Sequence, residues 1–380
     1  MQTTPENHTL TLWKDKILFT PGPLTTSPTT KQAMLRDLGS RDTAFIRIVS
    51  EVRRRLLAIA MVQKGEYECV LMQGSGTFGI EAVISSAIPK DGKLLILING
   101  AYGVRIRTIA NVHGITNESI EYGEDKAVCP KSVQTALEKD KGITHVMVVH
   151  CETTTGIIND IAAIGKVVRA AGRRFMVDSM SAFGGVVTNV QEAEIDYIVS
   201  SSNKCIEGVP GFSFAIIRGE ALRECEGRAR TLVLDVYAQW LGLEKDGQFR
   251  FTPPTHAILA FYQALLELEG EGGVRARAAR YAANHAYVLQ AMRTLGFRAF
   301  LPDALQGHII TSFYYPEHPK FDFSEFYNRL NTKGYVIYPG KVSNAVCFRI
   351  GHIGRMDTSD ARDLMAAIRE SLDEMGVTLR

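Results

Sequence analysis

The sequence predicts an α/β fold in which a large domain with a mostly parallel central sheet precedes a smaller α+β domain. In the first two thirds of the 380 residues, short apolar runs alternate with segments of helical periodicity, which is typical of a parallel sheet wrapped by helices. Near residue 270 this alternation ends, and a long helix rich in Arg and Ala follows. A chain of this length is also longer than one hydrophobic core usually serves.

The elements follow from hydrophobic periodicity, taken in the order of the chain. In the large domain we predict strands over residues 67–72, 94–98, 145–149, 175–177, 197–199 and 213–217, and helices over 78–88, 104–113 and 161–171. In the small domain we predict helices over 274–295, 324–332 and 358–375, and strands over 308–315, 335–338 and 347–350. The predicted domains are 27–270 and 271–380, preceded by an N-terminal segment, 1–26, that we associate with the active site.

Composition argues against several classes of function. The formal net charge is only +2, from 43 basic and 41 acidic residues, so nothing favours nucleic acid or a membrane surface as a partner. The N-terminus lacks a basic patch followed by an apolar stretch, so we expect no signal peptide. The six cysteines have no CxxC spacing and the nine histidines form no HExxH pattern. We therefore expect a cytoplasmic protein with reduced thiols and no metal site.

A glycine-rich loop, residues 74–79, follows a predicted strand and opens a helix, and it matches the pattern GxGxxG. A dinucleotide-binding fold would also need an acidic residue at the end of the second strand. That strand ends instead at Asn99, and Asp91 lies before it. The absence of an acidic residue at the end of the second strand therefore argues against a dinucleotide.

The same loop suits a single phosphate. Ser75, Gly76 and Thr77 offer backbone N–H groups, two hydroxyls and the positive end of a helix dipole. An ordinary strand-to-helix turn is the alternative, and the loop alone does not exclude it.

Two further strand ends carry chemistry. Asp178 follows a predicted buried strand, and Lys204 follows the next one. Ligands of open α/β sheets bind at the carboxyl ends of the strands, so both residues and the glycine loop are expected in one crevice. A phosphate cradle, an acid for the ring nitrogen and a lysine for the aldehyde are what pyridoxal phosphate requires. Alone, Lys204 is an ordinary surface lysine and Asp178 a cap or loop residue; together they favour this cofactor.

Three other residues fit the same crevice, each with an alternative. Tyr102 lies past a strand end and is expected to stack on the pyridine ring, unless it is a core aromatic. Thr153 is expected to bond the ring oxygen, unless it only forms a turn. Arg349 lies in an apolar strand of the small domain, where its planar fork suits a carboxylate or phosphonate, unless it forms an internal salt bridge.

From about Ile17 to Gly354 the sequence resembles the class-V, fold-type I aminotransferases, the group of alanine–glyoxylate and serine–pyruvate aminotransferases. It is most similar to the branch that transfers the amino group of 2-aminoethylphosphonate to pyruvate. The strings that carry the resemblance span residues 19–26, 71–76, 99–103, 152–156, 201–211, 234–240, 250–256 and 338–343. The longer strings around Lys204, Trp240 and Lys341 are the ones that indicate the phosphonate branch.

The resemblance implies a pyridoxal phosphate enzyme that makes phosphonoacetaldehyde and L-alanine as a homodimer with shared sites, for phosphonate degradation. It implies catalytic roles for Lys204 and Asp178. It implies that the cofactor contacts are Ser75, Gly76, Thr77, Tyr102, Thr153, Asp178, Asn203, Lys204 and, across the dimer interface, Thr252. For the substrate it implies Arg349, and we add Gly22, in the loop 20–26, as a source of N–H groups for the extra phosphonate oxygen.

The segment 37–42 departs from the family, which more usually has an acidic, aromatic stretch there, so it bears on the choice of donor. Three alternatives therefore stay open. The first is an aminotransferase acting on alanine or serine with glyoxylate or pyruvate, and the second is a lyase of the same fold. The third is a non-catalytic relative, against which the presence of both Asp178 and Lys204 argues.

Overall fold

The structure is a computed structural model that describes residues 15–379. Residues 1–14, on which the expectation of no signal peptide and the start of the predicted N-terminal segment rest, lie outside the described residues. The strands are β1 (Ile17–Leu18), β2 (Tyr67–Gln73), β3 (Lys93–Ile98), β4 (Thr116–Glu121), β5 (Ile143–Val149), β6 (Cys151–Glu152), β7 (Ile157–Ile158), β8 (Arg174–Asp178), β9 (Tyr197–Ser201), β10 (Phe212–Arg218), β11 (Ile310–Tyr314), β12 (Tyr335–Val336), β13 (Tyr338–Pro339) and β14 (Cys347–Gly351). The helices are α1 (Pro28–Gln32), α2 (Thr43–Ile59), α3 (Gly76–Ala87), α4 (Ala101–Val112), α5 (Pro130–Lys139), α6 (Ile161–Ala170), α7 (Gly219–Arg223), α8 (Val236–Asp246), α9 (Thr255–Glu271), α10 (Gly273–Thr294), α11 (Phe323–Thr332) and α12 (Thr358–Glu374).

A seven-stranded sheet forms the centre of the large domain, in the order β2-β10-β9-β8-β5-β3-β4. Strand β10 is antiparallel to both of its neighbours, and the other pairs in the sheet are parallel. The inner strands are continuous apolar runs because helices cover both faces of such a sheet. The carboxyl ends of β2, β3, β5, β8 and β9 consequently lie along one edge.

The predicted strands and helices of the large domain are present, and their ends differ from the prediction by at most three residues. The predicted mostly parallel α/β sheet is therefore confirmed, with one antiparallel member. Periodicity did not indicate β4, whose sequence is largely polar and whose side chains are mostly half-buried or exposed. It is an edge strand with one neighbour, so it needs no apolar run.

The strand predicted over residues 335–338 is wrong as a single element. The first half, β12, pairs in parallel with β1, and the second half, β13, pairs antiparallel with β14. The buried Ile337 separates the two halves. The chain changes sheets here because the N-terminal strand β1 packs on the small domain, which periodicity does not reveal.

The buried apolar side chains form two main clusters. One runs from Phe45 to Leu268 and fills the two faces of the large sheet. The other joins Phe19 to residues between Val288 and Val377. Helices α9 and α10 meet at Gly272. Its φ of +107° is a backbone conformation that favours glycine. These features support our proposal that the domain boundary lies near residue 270, with the start of the chain packed on the small domain.

Candidate active site

The glycine loop connects β2 to α3 at the carboxyl edge of the sheet. Ser75 is the N-cap of α3, and its side chain makes no capping hydrogen bond. A Cβ on Gly76 would contact the end of the Met180 side chain, so the turn packs closely against that methionine. Thr77 Oγ1 accepts a hydrogen bond from Arg105 at 3.2 Å. The first turn of α3 therefore presents N–H groups that no side chain caps, as an anion site requires.

Asp178 is the last residue of β8 and is only 6% exposed. Its Oδ1 accepts a hydrogen bond from the Met180 N–H at 3.0 Å, and among residues 15–379 no cation forms an ion pair with it. Burial raises the pKa of this carboxyl group to about 6, against the lowering effects of the Met180 N–H, Arg105 and Lys204. Asp178 lines a small cavity together with Thr77 and Tyr102. It is a buried acid that lacks a cationic partner.

Lys204 lies in the turn after β9, and its side chain reaches the N-terminal segment. Its Nζ donates to the carbonyl oxygens of Pro21 at 2.9 Å and Gly22 at 3.1 Å. Burial lowers the pKa of this ammonium group, which favours the neutral amine that a nucleophile and proton carrier needs. Gly22 has φ +106°, and a Cβ there would lie 2.5 Å from the Lys204 Cδ. Gly22 thus contacts the lysine directly.

Tyr102 lies in the first turn of α4, at the end of β3. Two cations lie over its ring, Arg105 at 4.9 Å and Lys341 Nζ at 5.1 Å from the centroid. Burial raises the pKa of the phenol, but a hydrogen bond with Thr153 and the charges of Lys341 and other cations outweigh it, and the pKa is lowered. No sequence pattern predicts a role for Arg105 or Lys341. The only signal for Lys341 was its place in the string 338–343.

Glu152 is a second buried acid of this edge that the sequence analysis left without a role. Its carboxylate accepts hydrogen bonds from the N–H and hydroxyl of Thr154, at 3.1 and 2.6 Å, and from the Tyr102 N–H at 3.2 Å. Burial raises its pKa. A Cβ on Gly100 would lie 2.4 Å from this carboxylate, so Glu152 packs tightly against the start of α4. It fixes the turn 152–155 relative to Tyr102.

Arg349, in β14 of the small domain, faces the same turn from the other side. Its Nε donates to Pro339 O at 3.0 Å and its Nη1 to Thr153 O at 2.9 Å. It is 3% exposed, and burial lowers the pKa of the guanidinium. Within residues 15–379 it forms no ion pair with a carboxylate, so the alternative of an internal salt bridge is wrong for this part of the chain. A buried arginine without an anionic partner is a candidate binding site for an anion.

The other two predicted contacts, Thr252 and Asn203, form hydrogen bonds with residues other than those above. Thr252 is exposed, and its carbonyl oxygen accepts a hydrogen bond from Gln73 Nε2 at 3.1 Å, beside the glycine loop. Asn203 Oδ1 accepts a hydrogen bond from Ser201 Oγ at 3.1 Å. In the divergent segment 37–42, Asp37 accepts a hydrogen bond from His256, four residues beyond Thr252. That segment therefore lies near the Thr252 loop.

The described residues contain no group of three or more His, Cys, Asp or Glu side chains able to hold a metal ion. Between residues 15 and 379 no helix is long and apolar enough to cross a membrane. The site is thus a crevice at the sheet edge with an anion cradle, a buried acid and a buried amine, faced by an arginine of the second domain. Such a set of groups can bind a phosphorylated aromatic aldehyde and keep its ring nitrogen protonated. It can also transfer a proton to or from an atom next to the ring.

The family model of class-V aminotransferases matches residues 29–352. The chain belongs to this family, and its predicted fold and enzyme class are confirmed. The solved pyridoxamine–pyruvate aminotransferase of Mesorhizobium loti superimposes with a TM-score of 0.86 at 26% identity, covering 96% of this chain and 93% of that one.

Two relatives are far more similar in sequence, and both carry the name 2-aminoethylphosphonate–pyruvate transaminase. The protein of Syntrophobacter fumaroxidans is 48% identical over 95% of this chain and 97% of its own length. That of Vibrio vulnificus is 50% identical over 94% of this chain and 97% of its own. The resemblance to the phosphonate branch is thereby confirmed at the level of the family.

Proposed function

We propose that this chain is a pyridoxal-phosphate-dependent transaminase that moves the amino group of 2-aminoethylphosphonate to pyruvate, giving phosphonoacetaldehyde and L-alanine. The observation that carries the proposal is that Lys204, Asp178 and Arg349 all lie around Tyr102. Each is buried or half-buried, and none forms an ion pair with an oppositely charged group among the described residues. The choice of donor is supported by the names of the two relatives.

The residues fit the cofactor. The uncapped first turn of α3 at Ser75 and Gly76 would hold its phosphate, and the cavity lined by Thr77, Tyr102 and Asp178 would receive its ring. Among residues 15–379 no cation forms an ion pair with the Asp178 carboxylate, and the protonated ring nitrogen would supply one. When bound, pyridoxal phosphate supplies an electron sink for the carbon from which the proton is removed.

The protein's own groups perform the remaining work. The Lys204 amine, held by the carbonyl groups of Pro21 and Gly22, would take the proton from the donor carbon and deliver it to the aldehyde-derived carbon of the cofactor. With pyruvate it would carry a proton in the opposite direction. Asp178 keeps the ring nitrogen protonated. Arg349 receives the phosphonate of the donor and then the carboxylate of pyruvate, so one anion site serves both halves. The loop 20–26, with Gly22, lies beside the lysine and supplies further contacts to the donor.

We propose a homodimer in which Thr252 of the partner subunit contacts the cofactor phosphate, as the resemblance to the family implies. Exposed apolar side chains support an interface near the glycine loop: Phe78 is 53%, Phe251 41% and Leu232 72% exposed. A mixture of Lys204→Ala and Thr252→Ala chains tests it, since shared sites leave one intact site in each mixed dimer. Mixed dimers with no more activity than either parent argue against sharing.

A cytoplasmic location remains a prediction from cysteine usage.

The experiment that tests the function follows the cofactor absorbance of the loaded enzyme in two steps. Addition of 2-aminoethylphosphonate should convert the aldehyde form of the cofactor to its amine form and release phosphonoacetaldehyde. Addition of pyruvate should then restore the first spectrum and release L-alanine. An enzyme that responds to L-alanine or L-serine but not to 2-aminoethylphosphonate would exclude the proposed donor.

A further inference from the structure

Lys341 is a cation of the site to which no role has been given. It lies in the loop between β13 and β14, and its Nζ is 5.1 Å from the centroid of the Tyr102 ring. No carboxylate forms an ion pair with it in the described part of the chain, and its side chain is exposed on the crevice. A second positive charge therefore lies near Arg349, on the same side of Tyr102 as the small domain.

The position of this loop is constrained from both of its ends. The Gly340 N–H donates to Cys347 O at 2.9 Å, and a Cβ on Gly340 would lie 2.2 Å from that oxygen. At the other end, the N–H and hydroxyl of Ser343 donate to the carboxylate of Glu124, at 2.8 and 2.9 Å. Glu124 belongs to the large domain, so these bonds attach the loop across the crevice. The backbone that carries Lys341 is thus held beside the Tyr102 ring.

Arg349 by itself does not distinguish the two substrates. Its Nε and Nη1 donate to the carbonyl groups of Pro339 and Thr153, which orient the guanidinium, and its Nη2 donates to neither carbonyl. The Tyr102 side chain also forms a hydrogen bond with Arg349. A carboxylate carries one negative charge, which one guanidinium can neutralise. A phosphonate carries up to two charges on three oxygens and leaves one charge and at least one oxygen without a partner. Lys341 and Arg349 both act on the charge of Tyr102, and Lys341 has no carboxylate partner among the described residues.

We propose that Lys341 is a specificity-determining residue that binds the second negative charge of a phosphonate dianion, while Arg349 binds the oxygens that phosphonate and carboxylate substrates have in common. The inference rests on the proposed function, because it requires a phosphonate donor. It explains how one crevice accepts pyruvate and still prefers a dianionic donor: the carboxylate acceptor uses Arg349 alone. An ammonium suits this role, since it is a compact charge on a flexible stem that approaches tetrahedral oxygens without a fixed plane.

The test compares Lys341→Met, which removes the charge and keeps the length, with Lys341→Arg, which keeps the charge. Lys320→Met, at an exposed lysine of the same domain, is the matched control. The kcat/KM of the half-reaction should fall roughly 10- to 100-fold for 2-aminoethylphosphonate in Lys341→Met, the range for a hydrogen bond between charged groups. It should fall less than about threefold for L-alanine, which bears only a carboxylate. Lys341→Arg should restore most of the loss.

A binding measurement separates recognition from catalysis. Calorimetry at alkaline pH with ethylphosphonate and with propionate, neither of which has an amine to react, should show weaker binding of ethylphosphonate alone in Lys341→Met. Equal losses for both anions, or no loss, would overturn the role of Lys341 even if the wild-type enzyme uses 2-aminoethylphosphonate. A wild-type enzyme that does not react with 2-aminoethylphosphonate would instead refute the proposed function, so the two failures are distinguishable.

Discussion

The groups on the large-domain side of the site lie at strand ends, whereas those on the small-domain side lie within a strand and on a loop. Asp178 and Lys204 follow neighbouring parallel strands, so the sheet itself brings them together. Arg349 lies in the middle of β14, and Lys341 lies on the loop before it. The first pair is fixed by the architecture of one domain, and the second by the docking of another domain onto it. We infer that the first side holds the cofactor and the second selects the substrate.

The largest expected effect is on the large-domain side. Lys204→Ala removes the amine that carries the proton, and turnover should fall by about 10⁴-fold or more. Single-turnover kinetics with 2-aminoethylphosphonate measures this. Borohydride treatment of the loaded wild-type enzyme, followed by peptide mapping, should find the label on Lys204. A label on another lysine, or a variant within tenfold of wild type, would show that the side chain has been assigned wrongly.

Asp178→Asn keeps the shape of the side chain and removes its charge. The ring then becomes a weaker electron sink, an effect felt mainly in the transition state, so kcat should fall roughly 10²- to 10³-fold. The affinity for the cofactor, measured by equilibrium titration, should change much less. Near-normal turnover in this variant would exclude the proposed role of the carboxylate.

The pKa of Asp178 gives a prediction for the cofactor-free protein. In the folded state it is raised from 3.8 to about 6, so the folded protein binds the proton more tightly than the unfolded chain. The resulting stabilisation is present below pH 3.8 and is lost as pH rises through about 6. The loss amounts to about 3 kcal/mol in the free energy of unfolding. Denaturant titrations should show that the wild-type apoprotein loses this much stability relative to Asp178→Asn as pH rises from 3.8 through about 6. If the free energies of unfolding of the two proteins change in parallel with pH, the raised pKa of Asp178 is contradicted.

On the small-domain side the expected effects are smaller. Arg349→Lys keeps the charge but loses the planar fork and its two bonds to carbonyl groups. We expect a cost of roughly 1–3 kcal/mol in kcat/KM for both 2-aminoethylphosphonate and pyruvate. This pattern contrasts with the one-sided effect expected for Lys341→Met. A loss confined to one of the two substrates would mean that Arg349 is not the shared anion site.

The same contrast explains what the sequence predicts and what it misses. The strand ends at Asp178 and Lys204 are recognisable because buried parallel strands are apolar runs whose carboxyl ends meet at one edge. The positions of Lys341 and Glu152 depend on packing between distant segments, and in sequence the one resembles a loop lysine and the other a turn residue. The strand predicted over 335–338 fails for a related reason, since β12 pairs with β1, more than 300 residues earlier.

The central claim is the identity of the donor, and one comparison tests it most directly. The wild-type kcat/KM should be measured for 2-aminoethylphosphonate, L-alanine and L-serine with a fixed keto acid, under the same conditions. We expect 2-aminoethylphosphonate to be the preferred donor, because Arg349 and Lys341 together match a dianion better than a carboxylate. If L-alanine or L-serine with glyoxylate is preferred, the assignment to phosphonate transamination is wrong and the alanine–glyoxylate alternative replaces it.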